Sequence, residues 1–370
     1  MDAYLASGEL READNFYLNF NFEVLNGCKL SCPGCFVEKK GQSAFSPEQA
    51  QQFAHLLGQL QSSLYVPFIA FVGPTDFLSA ENFRDFFCDP HSKRVLKEFT
   101  RLSLQTTYLD MKNAPEVAAV LREHYGDMEL EINIVVDPAK IMDDAYLATI
   151  ERNKVKFLEL LGTREVRTFG IMNVYDYDKT KISHLLQDYD FMHRRVSHLF
   201  ETTIDYNFSF GRNPHISNEE FLSLCSRIKR LFDTAIASPD LSNEKSQYLR
   251  FSFGKLTDSL IERQYNYRNG KIYYSPLLYE RFVSFRSEFE IPLSGFTREE
   301  VETFEERLLL EQYDFAPQTV ECEHCPFLSS CVDRGILHMM RTFGTRECLV
   351  AKRALLSVNS IKDLGLTKAP

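Results

Sequence analysis

The sequence predicts an α/β protein with a parallel sheet, followed by a smaller C-terminal domain. Strand-like and helix-like segments alternate six times up to about residue 237, and then the alternation stops. Such alternation favours parallel strands joined by crossover helices. A chain of 370 residues is long enough for one large domain and a smaller appendage. We predict a leader or cap at 1–17, the α/β domain at 18–237 and the C-terminal domain at 238–370.

The six predicted strands are apolar or alternating runs with helical patterns between them. The first helix has the clearest start, because Ser46 and Gln49 form a capping box and Pro47 occupies the first helical position. The predicted strands cover about residues 18–25, 66–72, 102–107, 130–136, 166–173 and 203–210. The predicted helices cover about residues 46–62, 114–124, 139–161, 178–199 and 217–233, and an acidic helix is predicted near 297–312.

Composition and charge argue against several classes of protein. Hydrophobic residues make up 44% of the chain and charged residues 25%, which is ordinary for a globular protein. No apolar run is long enough to span a bilayer, and the N-terminal segment is polar and acidic, so we expect no membrane span and a cytoplasmic protein. The net charge of −10 argues against extensive binding of nucleic-acid backbone, which needs basic patches.

A cysteine loop directly after the first strand carries the strongest chemical signal. Cys28, Cys32 and Cys35 have the spacing C-x3-C-x2-C. Thiolates are soft ligands that suit iron–sulfur clusters, zinc or copper(I). A [4Fe–4S] cluster takes four thiolates and this loop offers three, so one iron would stay open for a ligand that is not protein. A structural zinc site and chance clustering are the alternatives, although zinc sites usually show paired spacing.

This spacing resembles the radical S-adenosylmethionine (SAM) superfamily. The resemblance implies an open (β/α)6 partial barrel of the TIM type, with chemistry at the carboxyl ends of the strands. It also implies that the open iron binds SAM and that an electron splits SAM into methionine and a 5′-deoxyadenosyl radical, which abstracts a substrate hydrogen atom. An external flavodoxin- or ferredoxin-like donor would supply the electron. Phe36 follows the third cysteine, as in the C-P-G-C-aromatic version of some glycyl-radical activating enzymes.

The resemblance further implies SAM contacts at the strand ends. Gly73 and Asp76 lie where the family often carries G-G-E-P, and an acidic side chain there suits the SAM ammonium. An ordinary proline turn is the alternative reading. The other implied contacts, for which simple capping of a strand end is the alternative, are Thr106, Thr107 and Asn133 for the carboxylate and ribose, and Met172 and Asn173 for adenine.

The substrate is expected at the mouth of the barrel. We predict contacts from Arg212, Asn213 and His215 in the loop after strand six, and from Tyr273 or Tyr274. Arginine in this position would hold a carboxylate or phosphate. A solvated loop is the alternative for the first three.

A second cysteine cluster near the C-terminus has the spacing C-x2-C-x5-C-x16-C. Its members are Cys322, Cys325, Cys331 and Cys348. Four thiolates close a cluster completely. The spacing resembles the SPASM domain, which typically holds two auxiliary clusters. Ser275 and Gly335 stand where ligands of one of them are expected, so we predict a single auxiliary [4Fe–4S] cluster in a reduced, twitch-like version of that domain. A four-cysteine zinc ribbon is the alternative.

Three functions are compatible with these motifs. The first is a radical SAM enzyme that modifies a peptide or an amino-acid-derived group, as an oxidoreductase. The second is a radical isomerase or mutase acting on a small molecule, such as an amino-acid-bearing modified nucleobase or nucleotide of the DNA-hypermodification type. The third is a zinc-stabilised scaffold without catalysis. Release of deoxyadenosine on adding candidate substrates would distinguish the first two.

Overall fold

The computed structural model describes most of the α/β region and parts of the C-terminal region. The described residues are 16–25, 27–30, 45–61, 65–137, 140–162, 165–174, 195–199, 204–208, 262–274, 290–291, 298–319, 322, 328, 337 and 341.

A nine-stranded sheet with the order β6-β5-β4-β3-β2-β1-β7-β8-β9 forms the centre of the molecule. The first six strands are parallel to their neighbours, which confirms the predicted parallel α/β architecture. Since β6 and β9 are the two ends of this order, the described strands form an open sheet. The first six strands are β1 (Phe16–Leu25), β2 (Tyr65–Pro74), β3 (Arg101–Thr106), β4 (Glu129–Val136), β5 (Val166–Val174) and β6 (Ile204–Phe208).

Three of the described helices begin where a polar side chain caps them, at Ser46, Asp89 and Asp143. Ser46 and Gln49 bond each other's backbone N–H at 3.2 Å in both directions, which confirms the capping box. The helix predicted from residue 139 instead begins at Asp144, because the Asp143 carboxylate accepts the N–H groups that open its first turn. The helices are α1 (Pro47–Gln61), α2 (Phe83–Cys88), α3 (Pro90–Leu96), α4 (Ala114–Tyr125), α5 (Asp144–Leu161) and α6 (Arg298–Phe315), with 3-10 turns at Ser197–Leu199 and Ala316–Gln318.

The two faces of the sheet differ in polarity. One face is apolar and packs against helices: Phe20 and Phe22 of β1 meet Phe53 of α1 edge-on, with ring centroids 4.8 and 5.1 Å apart. The opposite face carries buried polar side chains. They are Asn19, Asn21, Glu23, Ser103, Glu131, Asn133 and Asn266. A buried polar face is unusual for a parallel sheet, whose strands are normally apolar on both sides.

Three further strands extend the sheet beyond β1. Strand β7 (Glu262–Arg268) pairs with β1 in parallel, and β8 (Lys271–Tyr274) and β9 (Glu290–Ile291) follow in antiparallel pairing. Tyr265 of β7 stacks on Phe20 with ring centroids 5.5 Å apart. These strands were not predicted. The predicted domain boundary near residue 237 lies outside the described residues and stays a prediction.

The backbone of the two-residue turn between β7 and β8 favours the residues found there, Asn269 and Gly270. Asn269 and Gly270 have φ values of 50° and 78°, as a two-residue turn of the I′ kind demands. A Cβ added to Gly270 would lie 2.8 Å from Nε2 of Gln49, so glycine also leaves room for α1.

Among the helices that the structure describes, none has the length and hydropathy needed to cross a bilayer.

Candidate functional site

Cys28 lies just past the carboxyl end of β1, after Gly27, whose φ is 93°. It is 7% exposed. Strands β2 and β3 end at Pro74 and Thr106, and the carboxyl ends of parallel strands lie at the same edge of a sheet. The structure therefore brings Cys28 to the edge that also holds Asp76, Thr106 and Thr107.

The loop of residues 76–82, which follows β2, holds the start of the cysteine loop. Three contacts join this loop to the end of β1 and to the first residues of the cysteine loop. They are Ser79 Oγ to Cys28 Sγ at 3.7 Å, Asn82 Nδ2 to the Val24 carbonyl oxygen at 2.8 Å, and Lys29 Nζ to the Glu81 carboxylate at 3.4 Å. The first two contacts are buried or part-buried, and the ion pair is exposed. Because the exposed pair adds little stability, the two inner contacts set the position of the loop.

Asp76 joins the ends of β2 and β3. Its Oδ1 accepts the Leu78 N–H at 3.1 Å and the Thr106 hydroxyl at 3.0 Å, and its Oδ2 accepts the Thr107 N–H at 2.7 Å and the Thr107 hydroxyl at 2.8 Å. Four donated protons fill the acceptor sites of a carboxylate. Burial raises the pKa of the Asp76 carboxyl, although the hydrogen bonds from Thr107, Thr106 and Leu78 lower it in part.

This geometry bears on the predicted SAM contacts. A SAM ammonium that bound Asp76 would have to displace one of its four donors, so the structure gives Asp76 the role of a tether. Its contact with SAM stays a prediction. Thr106 and Thr107 face Asp76, and their hydroxyls also accept the N–H groups of Tyr108 and Leu109 at 3.0 and 3.3 Å. Gly73 is buried near the end of β2.

Asn133 belongs to a buried hydrogen-bond chain on the polar face. Its Nδ2 donates to Ser103 Oγ at 2.7 Å, and the Ser103 hydroxyl donates to Glu131 Oε1 at 2.8 Å. Arg101 pairs with the other oxygen of Glu131 at 3.3 Å. Since the Ser103 proton goes to the carboxylate, the Asn133 amide must donate, and this orients the amide. Ser103 and Glu131 were not predicted from the sequence as members of the site.

The polar face continues across β1 to β7 and β8. Asn21 pairs with Asn266, and Asn266 pairs with Tyr273, so all three side chains share this face. Asn266 Oδ1 is buried and has no hydrogen-bond partner among the residues that the structure describes. Burial and the neighbouring Glu290 raise the pKa of Tyr273. A period of two in polar residues within apolar strands, as in Asn19-Phe-Asn21-Phe-Glu23, was the sequence signal for this face.

The remaining predicted residues fall into two groups. Met172 and Asn173 pair with Tyr206 and Asn207 near the carboxyl ends of β5 and β6, at the same edge of the sheet as Cys28. The others lie outside the described residues. They are Cys32, Cys35, Phe36, Arg212, Asn213, His215, Cys325, Cys331 and Cys348.

Of the second cysteine cluster, the structure describes Cys322. This residue is half-buried, and its N–H donates to Thr319 Oγ1 at 3.2 Å. Within the described part of the chain, no three His, Cys, Asp or Glu side chains come together as a metal site. Cys28 offers a free, buried sulfur at the strand edge, and a thiolate is a ligand that suits iron–sulfur clusters. The cluster itself stays a prediction.

Comparison with known proteins gives structural matches only. No protein-family model matches the chain, and no curated protein matches its sequence. The fold is similar to that of the anaerobic sulfatase-maturating enzyme anSMEcpe with bound AdoMet, with 13% identity and a TM-score of 0.49 over 85% of this chain and 88% of that one. A second structure of that enzyme holds AdoMet and the Cp18Cys peptide, with 13% identity and a TM-score of 0.48 over the same shares of the two chains.

The fold is also similar to that of SuiB from Streptococcus suis bound to its precursor peptide SuiA. The identity is 10% and the TM-score 0.48, over 94% of this chain and 79% of that one.

Proposed function

We propose that this chain is a radical SAM enzyme that acts on a peptide or an amino-acid-derived group. The observation that carries the proposal is the position of Cys28, a buried free thiol at the carboxyl edge of an open parallel sheet. Carboxyl edges are where α/β folds place their chemistry. The C-x3-C-x2-C spacing supplies two further thiolates within the next seven residues of the chain, Cys32 and Cys35.

The residues of this chain would bind and orient the cofactors. Cys28, Cys32 and Cys35 would hold a [4Fe–4S] cluster with one open iron, and the C-terminal cysteines would hold one auxiliary cluster. When loaded, such a site supplies reductive cleavage of SAM and abstraction of a substrate hydrogen atom. A flavodoxin- or ferredoxin-like partner would deliver the electron. Asp76 holds Thr106 and Thr107 by hydrogen bonds at the edge of the sheet where Cys28 also lies, and there they would contact SAM.

The polar face supports a substrate with several hydrogen-bonding groups. Asn21, Asn266 and Tyr273 form a row of buried amide and phenol groups, and Asn133 lies further along the same face. Buried polar groups need partners. Asn266 Oδ1 has no hydrogen-bond partner among the described residues. A peptide backbone or an amino-acid group carries N–H donors that would satisfy this oxygen, which favours these substrates over apolar ones.

The test begins with anaerobic purification and reconstitution of the full chain. We expect about eight irons per chain with matching sulfide, since each [4Fe–4S] cluster carries four. On reduction, the protein should convert SAM to methionine and 5′-deoxyadenosine, and Cys32→Ser should abolish this reaction. Zinc without iron would overturn the proposal. Release of deoxyadenosine triggered by nucleotides and not by peptides would overturn the substrate class.

A further inference from the structure

The Ser79 hydroxyl lies next to Cys28, which is a predicted ligand of the SAM-binding cluster. Its Oγ lies 3.7 Å from Cys28 Sγ. The side chain is fully buried, with 0% exposure, so water does not compete for the contact. Nothing in the sequence suggested this residue, because the two positions are 51 residues apart along the chain.

The single proton of the hydroxyl decides what the contact does. Ser79 Oγ also lies 3.0 Å from the Asp76 carbonyl oxygen, and a hydroxyl can donate to only one of these acceptors. The Asp76 carbonyl already accepts the Ser79 N–H at 3.0 Å, so it keeps a partner without the hydroxyl. A sulfur bound to iron has no proton and carries negative charge, and charge-assisted hydrogen bonds are the stronger ones.

We propose that Ser79 is a positioning residue that donates a hydrogen bond to Cys28 Sγ when this sulfur is bound to iron, and that it raises the reduction potential of the SAM-binding cluster. The inference rests on the function proposed above. Hydrogen bonds to sulfur are among the factors that set cluster potentials. In the step concerned, one electron passes from the external one-electron donor to the cluster, and no bond forms or breaks. The hydrogen bond that Ser79 donates to Cys28 Sγ stabilises the negative charge that the electron adds to the cluster, so the cluster is reduced more easily.

The surrounding loop holds the hydroxyl in this place. The Asp76 carbonyl fixes the Ser79 backbone, and the Asp76 side chain is fixed in turn by Leu78 and Thr107. Asn82 attaches the far end of the same loop to β1 at Val24. The position of the hydroxyl therefore depends on the sheet and not on the cysteine loop alone.

The experiment is a redox titration of the reconstituted full-length protein, followed by EPR. The SAM-binding cluster is identified by the change in its signal when SAM is added. Ser79→Ala and Ser79→Gly remove the hydroxyl, and Ser79→Thr keeps it. Ser92→Ala is the matched control, since Ser92 is a buried serine on α3 whose hydroxyl has no partner in the described part of the chain. Glu81→Gln removes a loop contact without touching sulfur.

The expected result is a more negative midpoint potential in Ser79→Ala and Ser79→Gly, with Ser79→Thr and both controls close to wild type. An unchanged potential in a variant that retains its cluster would overturn the inference, as would an equal shift in Glu81→Gln. Loss of iron from both hydroxyl-free variants would assign Ser79 to holding the loop, which also overturns it. A wild-type protein that binds no iron would instead refute the proposed function, and these outcomes are distinct.

Discussion

The Thr107 backbone N–H donates to Asp76 Oδ2 at 2.7 Å, and this bond connects the ends of two neighbouring strands. A second bond supports it, from the Phe77 N–H to the Gln105 carbonyl oxygen at 3.0 Å. No cation among the described residues lies within ion-pair distance of Asp76, so hydrogen bonds alone hold its charge. Asp76 therefore accepts a network of hydrogen bonds and also carries a buried charge. A separate prediction follows from each of these two properties.

Replacing Asp76 with Asn should destabilise the fold. The amide keeps the shape but turns one acceptor oxygen into a donor, which then faces the N–H of Thr107 or of Leu78. Leaving buried donors unsatisfied costs about 1–3 kcal/mol. Urea unfolding of both proteins at neutral pH measures the difference. Asp110→Asn is the control, because Asp110 bonds the Lys112 N–H in an exposed turn, and this variant should change stability much less.

The buried charge of Asp76 predicts a pH dependence. Its folded pKa is raised, so the native state binds a proton more tightly than the unfolded state does. Its contribution is therefore most favourable below the unfolded pKa and is lost as the pH rises through the folded value. The stability of the wild type relative to Asp76→Asn should fall as the pH rises above about 4, the ordinary range of aspartate. A difference that stays constant or grows with pH would contradict this account.

The sequence could predict the features that depend on local signals, but not those that depend on contacts between distant parts of the chain. The capping box at Ser46 and the first six strands follow from side-chain chemistry and periodicity within a few residues. The tether of Asp76 depends on the register of β2 against β3, which no local pattern encodes. The contact between Ser79 and Cys28 has the same origin, since two separate loops meet at one edge of the sheet.

The extension of the sheet could have been predicted in part. Asn269-Gly270 between two aromatic strand-like runs is a strong hairpin signal. The parallel pairing of β7 with β1 could not, because strand order is a property of the whole sheet. It is supported by Tyr265 packing on Phe20, a contact between residues far apart in the chain.

Tyr108 should tolerate the loss of its hydroxyl. The side chain is fully buried, and its oxygen has no hydrogen-bond partner among the described residues. Burial and the Asp76 charge both raise the pKa of Tyr108, so the phenol stays neutral. Tyr108→Phe removes an unsatisfied polar atom and should leave stability unchanged or raise it by about 1 kcal/mol.

The matched comparison for this variant is Tyr125→Phe. The Tyr125 hydroxyl donates to the Phe87 carbonyl oxygen at 2.7 Å, so its removal should destabilise the fold by about 1 kcal/mol. Thermal unfolding of the two variants side by side tests the pair. Equal losses of stability in both would contradict the assignment of the Tyr108 oxygen as unsatisfied.

Ser103 should be energetically coupled to Asn133. Ser103→Ala breaks both bonds of the chain from Asn133 to Glu131, and residues in one hydrogen-bond network couple by about 0.5–3 kcal/mol. A double-mutant cycle with Asn133→Ala, followed by urea unfolding, measures the coupling. Additive effects would show that the two side chains act independently. The exposed bond of Gln59 to His55 provides a control pair, for which we expect nearly additive effects.

The two cysteine clusters should lose iron independently. Cys28→Ser and Cys325→Ser each remove one proposed ligand, so under the proposed function each should reduce the iron content from about eight to about four per chain. The remaining irons differ in function: Cys325→Ser should still bind SAM at its cluster and cleave it on reduction, whereas Cys28→Ser should do neither. Iron and zinc analysis together with the EPR response to SAM measures both effects. If Cys325→Ser lost zinc and kept all its iron, the C-terminal cysteines would form a zinc ribbon, and the single remaining cluster would be the one held by the cysteine loop.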